Sequence, residues 1–336
     1  MSHELDTSNG QYNVALRGGA RTAWHGFGNE ILPTDTLDDV QRKAGLLYTI
    51  QRAIVEFERE DGSRGAYDNK HVMYRDDTGA PLSVMSDGYC LVQPAEAIEF
   101  YRDLCEHFHY QMDTAGALRG GAVFWAMATT GHDLNINGDT IRGRVLFSSS
   151  ADGSSATCAG FTSERVVCAN TLAIAHQSAE LIKVRHSTRF DADAAKRMLG
   201  FSRGLDDAWR TFSDQMRALY TARVDGKIAE EFFATILRPE KESKPSRYTS
   251  FAKGTAALPN PERAIRGLED MRNSYTQAPG AMPGTAFGLV QAVTHYVDHV
   301  RGRDDDKRMT SAWFGQGATM KQRAMDAALA MAGIAA

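Results

Sequence analysis

A chain of 336 residues, 43% hydrophobic and 24% charged, has enough apolar side chains for one large core or two ordinary ones. That excludes disordered, collagen-like and low-complexity classes. No apolar run approaches the ~18 residues of a transmembrane helix, and the polar stretch Met1–Gln11 lacks the apolar core of a secretory signal.

The net charge of −4 is unevenly spread. Residues 1–180 hold 14 Lys and Arg against 24 Asp and Glu, whereas residues 181–336 hold 24 against 18. An acidic and a basic half point three ways: nucleic acid on the basic half, attraction within the fold, or head-to-tail association of copies into rings or filaments. Cys90, Cys105, Cys158 and Cys168 form no CxxC pair, which suits reduced thiols in a cytoplasmic protein without a membrane partner.

In chain order, Arg17-Gly18-Gly19-Ala20 and Trp24-His25-Gly26-Phe27-Gly28 make a turn-rich entry. Asp35 or Thr36 caps a helix running to Lys43, with Gly45 as its stop. Residues 53–58, 72–74 and 82–85 read as a β-meander, with Gly and Asp turns between the strands. A short strand after Asp87-Gly88-Tyr89 meets Pro94, which opens a helix to about His107. Ala97, Ile98, Tyr101, Leu104, Cys105 and Phe108 form its apolar stripe. Strands over 122–127 and 145–147 flank the hairpin signal Asn137-Gly138, and 156–161 extends the sheet. Val166 to Gln177 reads as a helix.

Leu181–Arg189 reads as one alternating strand. Lys183, Arg185 and Arg189 share a basic face, opposite Ile182 and Val184. From Asp191 to about Val224, Phe201, Leu205, Trp209, Phe212, Met216 and Leu219 recur at steps of three and four, a strong helical stripe. Lys196, Arg203, Arg210 and Arg217 run along the same helix, with Asp193, Asp206 and Asp214 as ready partners. Helices over 227–237, 262–275, 286–300 (capped by Thr285) and 318–330 follow. The expected fold is therefore α+β: an antiparallel sheet domain over 12–190, then a mostly helical part over 191–336 with a long loop at 238–262.

Five motifs carry a family resemblance. They are Thr22-Ala23-Trp24-His25-Gly26-Phe27-Gly28, then Asp87-Gly88-Tyr89 with Val92-Gln93, then Leu118-Arg119-Gly120-Gly121. The fourth runs from Ser150-Ala151-Asp152-Gly153-Ser154-Ser155 through Arg165-Val166-Val167-Cys168-Ala169-Asn170-Thr171-Leu172 to Arg185-His186-Ser187. The fifth is Val293 to His299 with Trp313-Phe314-Gly315. Together they resemble the phage/plasmid-like proteins of the domain of unknown function 932 family, over about residues 20–330. The resemblance implies a bacterial mobile-element setting and no assigned catalytic residues. It departs from the usual pattern at Ala151 and Ser187, where the family has His and Thr, so a catalytic histidine at 151 is not required.

Each candidate site has a functional and a plain reading. Asp152-Gly153-Ser154-Ser155 lacks GxSxG and P-loop geometry and reads more simply as a tight turn. The Gly120-Gly121 pair permits a close backbone approach, to a sugar–phosphate chain or within a hairpin. Cys168 has no assignable base and reads as a packing thiol. His295 and His299 sit one helical turn apart without the Glu of a metalloprotease motif, so no metal is expected, nor any cofactor. Trp24 stacks on a base or plugs a core.

The reading that follows is a mobile-element protein that binds single-stranded nucleic acid, a recombination or strand-annealing factor that forms homo-oligomers. Its binding residues are Lys183, Arg185, Arg189, Arg119, Arg165, His186 and Trp24. The alternatives are a hydrolase of nucleic acid or nucleotides, built on Arg119, Asp152, Ser154, Arg165 and His186, or a protein-interaction module in phage–host conflict.

Overall fold

The computed structural model describes residues 7, 12–17, 28–136, 138–165, 170–172, 181–198, 204–238, 261–302, 311–312 and 316–334. The chain divides into two compact units. The first comprises Met1–His132, Arg142–Thr162 and Ser178–Leu205, and the second Asp133–Ile141, Ser163–Gln177 and Asp206–Ala336. Antiparallel strands dominate the N-terminal half and helices the C-terminal half, so the fold is α+β. Among the described residues no helix is long and apolar enough to cross a membrane.

The main sheet uses β1 (Val14–Leu16), β2 (Asn29–Glu30), β6 (Gln111–Leu118), β7 (Val123–Ile136), β8 (Asp139–Ser150), β9 (Thr157–Arg165), β10 (Asn170–Leu172) and β11 (Leu181–Val184). Its order is β10-β9-β8-β7-β6-β1-β2, with β11 also paired to β9. β1 and β2 pair parallel. A second sheet is the expected meander, in the order β3 (Ile50–Glu58), β4 (Arg64–Arg75), β5 (Pro81–Ser86).

Helix α1 (Leu37–Lys43) starts at Thr36, whose hydroxyl accepts from the Asp39 N–H while the Asp39 carboxylate reaches back to the Thr36 N–H. Those bonds from Thr36, with Arg42 alongside, hold the Asp39 carboxyl down to about 2. Helix α2 (Pro94–Phe108) lays Ala97, Ile98, Phe100, Tyr101 and Leu104 into the first core. The Tyr101 hydroxyl sits between the carbonyls of Ala126 and Val145, at 2.6 and 3.0 Å, which ties the helix to β7 and β8. Phe108, expected on the buried stripe, is 41% exposed because it closes the helix just before His109 turns left-handed.

The second unit is built on α4 (Gly204–Thr221), α5 (Gly226–Ile236), α6 (Pro261–Gln277), α7 (Ala286–His295) and α8 (Gln316–Met331). The α4 stripe buries Trp209, Phe212, Met216 and Leu219, as its period predicts. Leu134 and Ile141, from the β7–β8 hairpin, belong to this core. Thr285 caps α7 by accepting the Gly288 N–H. Arg217 pairs with Asp214 as expected, whereas Arg210 takes Asp207 at i−3 rather than Asp206.

Several sequence expectations differ from the structure. The short strand before Pro94 is absent: residues 87–93 form a turn and an extended run outside either sheet. Asn170–Leu172, expected in a helix, is strand β10 on the end of β9. Asn and Thr are weak helix formers, and β9 offers an open edge. The strand expected over 181–189 stops at Val184, opposite Thr157, the first residue of β9. With no ladder partner beyond it, the chain turns, and the Thr188 N–H donates to the Arg185 carbonyl. Arg185 and Arg189 therefore do not share a strand face with Lys183. The expected helix from 191 is described as α3 (Ala192–Met198) and α4, with Phe201 and Arg203 outside the described residues. The rest of the expected helix over 166–177, Cys168, and nearly all of the loop at 238–262 also lie outside them.

Candidate nucleic-acid interface

Parts of three of the five sequence motifs converge in the first unit. The chain leaves β6 through Arg119, Gly120 and Gly121, with φ of 52°, 66° and 97°. Three successive left-handed residues are costly unless the surroundings hold them. Buried Arg75 supplies that hold. It donates to the Gly120 carbonyl at 3.1 Å, pairs with Asp77 at 2.7 Å, and lies 3.9 Å from the Tyr48 ring centre. The Tyr48 hydroxyl donates to the Gly121 carbonyl at 2.7 Å. A Cβ on Gly121 would stand 2.9 Å from both Arg75 Nη1 and the Tyr48 hydroxyl. The close approach that the glycine pair permits is to these two side chains.

This turn presents Arg119, whose Nη1 meets Asp152 Oδ2 at 3.2 Å. The other Asp152 oxygen accepts the Ser154 N–H at 2.9 Å, the local turn chemistry its sequence predicts. Ser150 Oγ donates to the Ser155 carbonyl and accepts the Ser155 N–H. Tyr89 donates its hydroxyl to the Ser150 carbonyl, and Ser83 donates to the Ala151 carbonyl. Burial pushes the Tyr89 phenol up to about 12, so it stays a donor at neutral pH.

His186 closes the cluster. Its Nδ1 is 3.0 Å from the Cys90 carbonyl and its Nε2 3.0 Å from the Ser155 carbonyl. Its ring stacks on Tyr89 with centres 4.5 Å apart. Carbonyl oxygens only accept, so whichever ring nitrogen carries the N–H donates to the carbonyl it faces. The geometry is that of a clasp between residues 90 and 155. His186 meets Ser155 through its carbonyl, while the Ser155 hydroxyl is itself buried.

Of the candidate binding residues, Arg119 and His186 fall in this cluster. Arg185 and Arg189 flank the clasp on the turn after β11, both exposed. Neither has an ion-pair partner among the described residues, and Asp191, one candidate counter-charge, instead caps α3 through the Ala194 N–H. Lys183 and Arg165 are described by backbone alone, opposite Cys158 and Asn170. Trp24 lies outside the described residues. Sequence reasoning missed Tyr48 and Arg75, because a buried Arg under a glycine turn has no local signature.

In the second unit the His295 and His299 rings lie 5.0 Å apart, in and beside a π-helical turn over Tyr296–Val300. His295 Nδ1 is 3.0 Å from Ser274 Oγ, and burial, then His299, lowers its proton affinity. Asp298 between them is taken by Lys321 at 2.8 Å, with both side chains almost fully buried. Among the described residues no group of three metal-ligating side chains forms.

No curated protein and no solved structure matches the chain. Residues 81–313 match the family described as Domain of unknown function (DUF932), a span that contains the three converging motifs in full and most of the fifth. With Tyr89, Arg119, Asp152 and His186 all inside that match and joined in one cluster, the chain belongs to the DUF932 family.

Proposed function

We propose that this protein binds single-stranded nucleic acid, in the phage- and plasmid-type setting that the family resemblance implies, as a recombination or strand-annealing factor. The observation that carries the reading is the pair of exposed arginines, Arg185 and Arg189, without a carboxylate partner among the described residues, on a turn whose backbone His186 anchors. Unpaired guanidinium groups on a fixed turn suit phosphate oxygens. Arg119, half-exposed beside the 152–155 turn, adds a third cation to the same neighbourhood. Head-to-tail association of acidic and basic halves would let successive copies follow one strand.

A hydrolase would draw on the convergence of Arg119, Asp152 and His186. Their polar atoms, however, are already engaged: Asp152 by the Arg119 guanidinium and the Ser154 N–H, and His186 by two carbonyls. A general base needs a free lone pair within reach of its proton donor, which favours the binding reading.

The test is fluorescence anisotropy of the full chain with a labelled single-stranded oligonucleotide at stepped salt. Binding at low salt should weaken as salt rises. Arg185→Glu with Arg189→Glu should lower the slope of log K against log salt by about 0.7 per lost phosphate contact and leave the melting curve unchanged. No binding at low salt ends the proposal.

A further inference from the structure

We propose that the outer face of the β3–β4–β5 sheet is a base-stacking platform for single-stranded nucleic acid; this rests on the function proposed above and names a second contact surface for it. The register assigns the two faces. Directly paired residues share a face, so Gln51 with Tyr74, Ala53 with Val72, Val55 with Tyr67 and Phe57 with Gly65 lie on one side. Val84 opposite Val72, and Ser86 opposite Lys70, continue it onto β5. The reverse side carries Ile50, Met73 and Arg75, all buried, and Ser83, which bonds the Ala151 carbonyl, and opens to water towards the hairpin at Ile54, 63% exposed.

Among the described residues nothing buries the outer face at its aromatic positions. Phe57 is 46% exposed, Tyr67 56% and Val84 54%. Strands of an ordinary half-buried sheet turn polar groups to water; here aromatic and β-branched side chains face it. The carboxylates at paired positions keep to the reverse side, where Arg52 and Arg64 also lie. Glu56 and Glu58 pair with Ala66 and Arg64 on the reverse side, so no carboxylate holds a paired position on the outer face. The cations there are Lys70, opposite Ser86, and Arg59, whose guanidinium lies 5.4 Å from the Phe57 ring centre.

Aromatic rings beside cations, with no carboxylate among the paired positions, fit a strand whose bases stack and whose phosphates are neutralised. A second copy of the same face is a poorer occupant, since it would set Lys70 and Arg59 against their own equivalents without an acid between them. Gly65 fits the picture structurally: a Cβ there would stand 2.8 Å from the Phe57 ring, so the glycine lets that ring lie flat across the strand.

The experiment uses the full chain with labelled oligothymidine and oligouridine of about 16 nucleotides. Tyr67→Ala should weaken binding about tenfold, the effect of one lost stack, without changing the salt slope, and Tyr67→Phe should restore it. Arg185→Glu with Arg189→Glu changes the slope instead, so the two surfaces are read separately. Wild-type binding that Tyr67→Ala leaves intact overturns the platform and spares the function. Absence of wild-type binding overturns both. Should Tyr67→Ala melt below wild type, photocrosslinking of wild type to a 4-thiothymidine oligonucleotide decides. Crosslinks within residues 50–86 support the platform, and crosslinks confined elsewhere overturn it. Displacement of the oligonucleotide by polyglutamate at equal charge, or a self-association that Tyr67→Ala abolishes, also overturns it in favour of a protein partner.

Discussion

His186 illustrates how much one side chain can hold. It joins the Cys90 and Ser155 carbonyls and stacks on Tyr89, so it fastens two segments that are 65 residues apart in sequence. Removing it takes the ring from the Cys90 carbonyl and leaves the Ser155 carbonyl with the Ser150 hydroxyl alone. His186→Ala should cost about 2 kcal/mol, the scale of losing such partners, and His186→Gln should recover part of it, since one amide can serve only one of the two carbonyls well. Denaturant melts measure both.

His295 gives a pH-dependent counterpart. Burial, then His299, lowers its folded-state pKa below 6.5. The unfolded chain then binds the proton more readily. Stability falls as pH drops below 6.5 towards the folded value, and is restored as pH rises back through that window. His295→Gln should flatten this part of a plot of melting temperature against pH. The Cys105 thiol on α2 is quieter: burial pushes it up to about 11, so it stays a protonated packing group.

At the scale of elements, α4 shows period and burial agreeing. Trp209 is 9% exposed and packs its ring 5.3 Å from that of Phe212. Trp209→Ala should cost about 3–5 kcal/mol in denaturant melts, as truncation of large core aromatics does; a loss below about 1 kcal/mol would contradict that burial. Helix starts were equally legible, because Thr36, Pro94 and Thr285 act through bonds local to one turn. Strand ends were not. Val184 ends β11 because its partner β9 begins at Thr157, and alternation in 181–189 contains no trace of where another strand starts. Asn170–Leu172 became a strand for the same kind of reason, an open length of β9.

At the scale of the molecule, neither compact unit is one continuous stretch of chain. The second takes Asp133–Ile141 from within the β7–β8 hairpin. Leu134 and Ile141 are buried in its core, and Asp139 accepts the Tyr220 hydroxyl at 2.6 Å. A fragment of residues 206–336 lacks these groups. It should melt below the corresponding transition of the full chain, or lack a cooperative transition, when followed by circular dichroism.

The amino-acid sequence by itself determined the α+β class, the meander, the helical stripe of α4 and the caps, since each rests on side-chain periodicity or a bond within a few residues. It also carried the family, through motifs at Tyr89, Arg119, Asp152 and His186. What those motifs are for was decided only by tertiary structure. The Gly120-Gly121 pair serves Arg75 and Tyr48, and Asp152 serves Arg119 and its own turn. The exposed face of Phe57 and Tyr67 depends on which side of β3–β4–β5 meets the core. Spacing along one strand specifies that two faces exist, while only packing against the rest of the unit decides which of them is left to water.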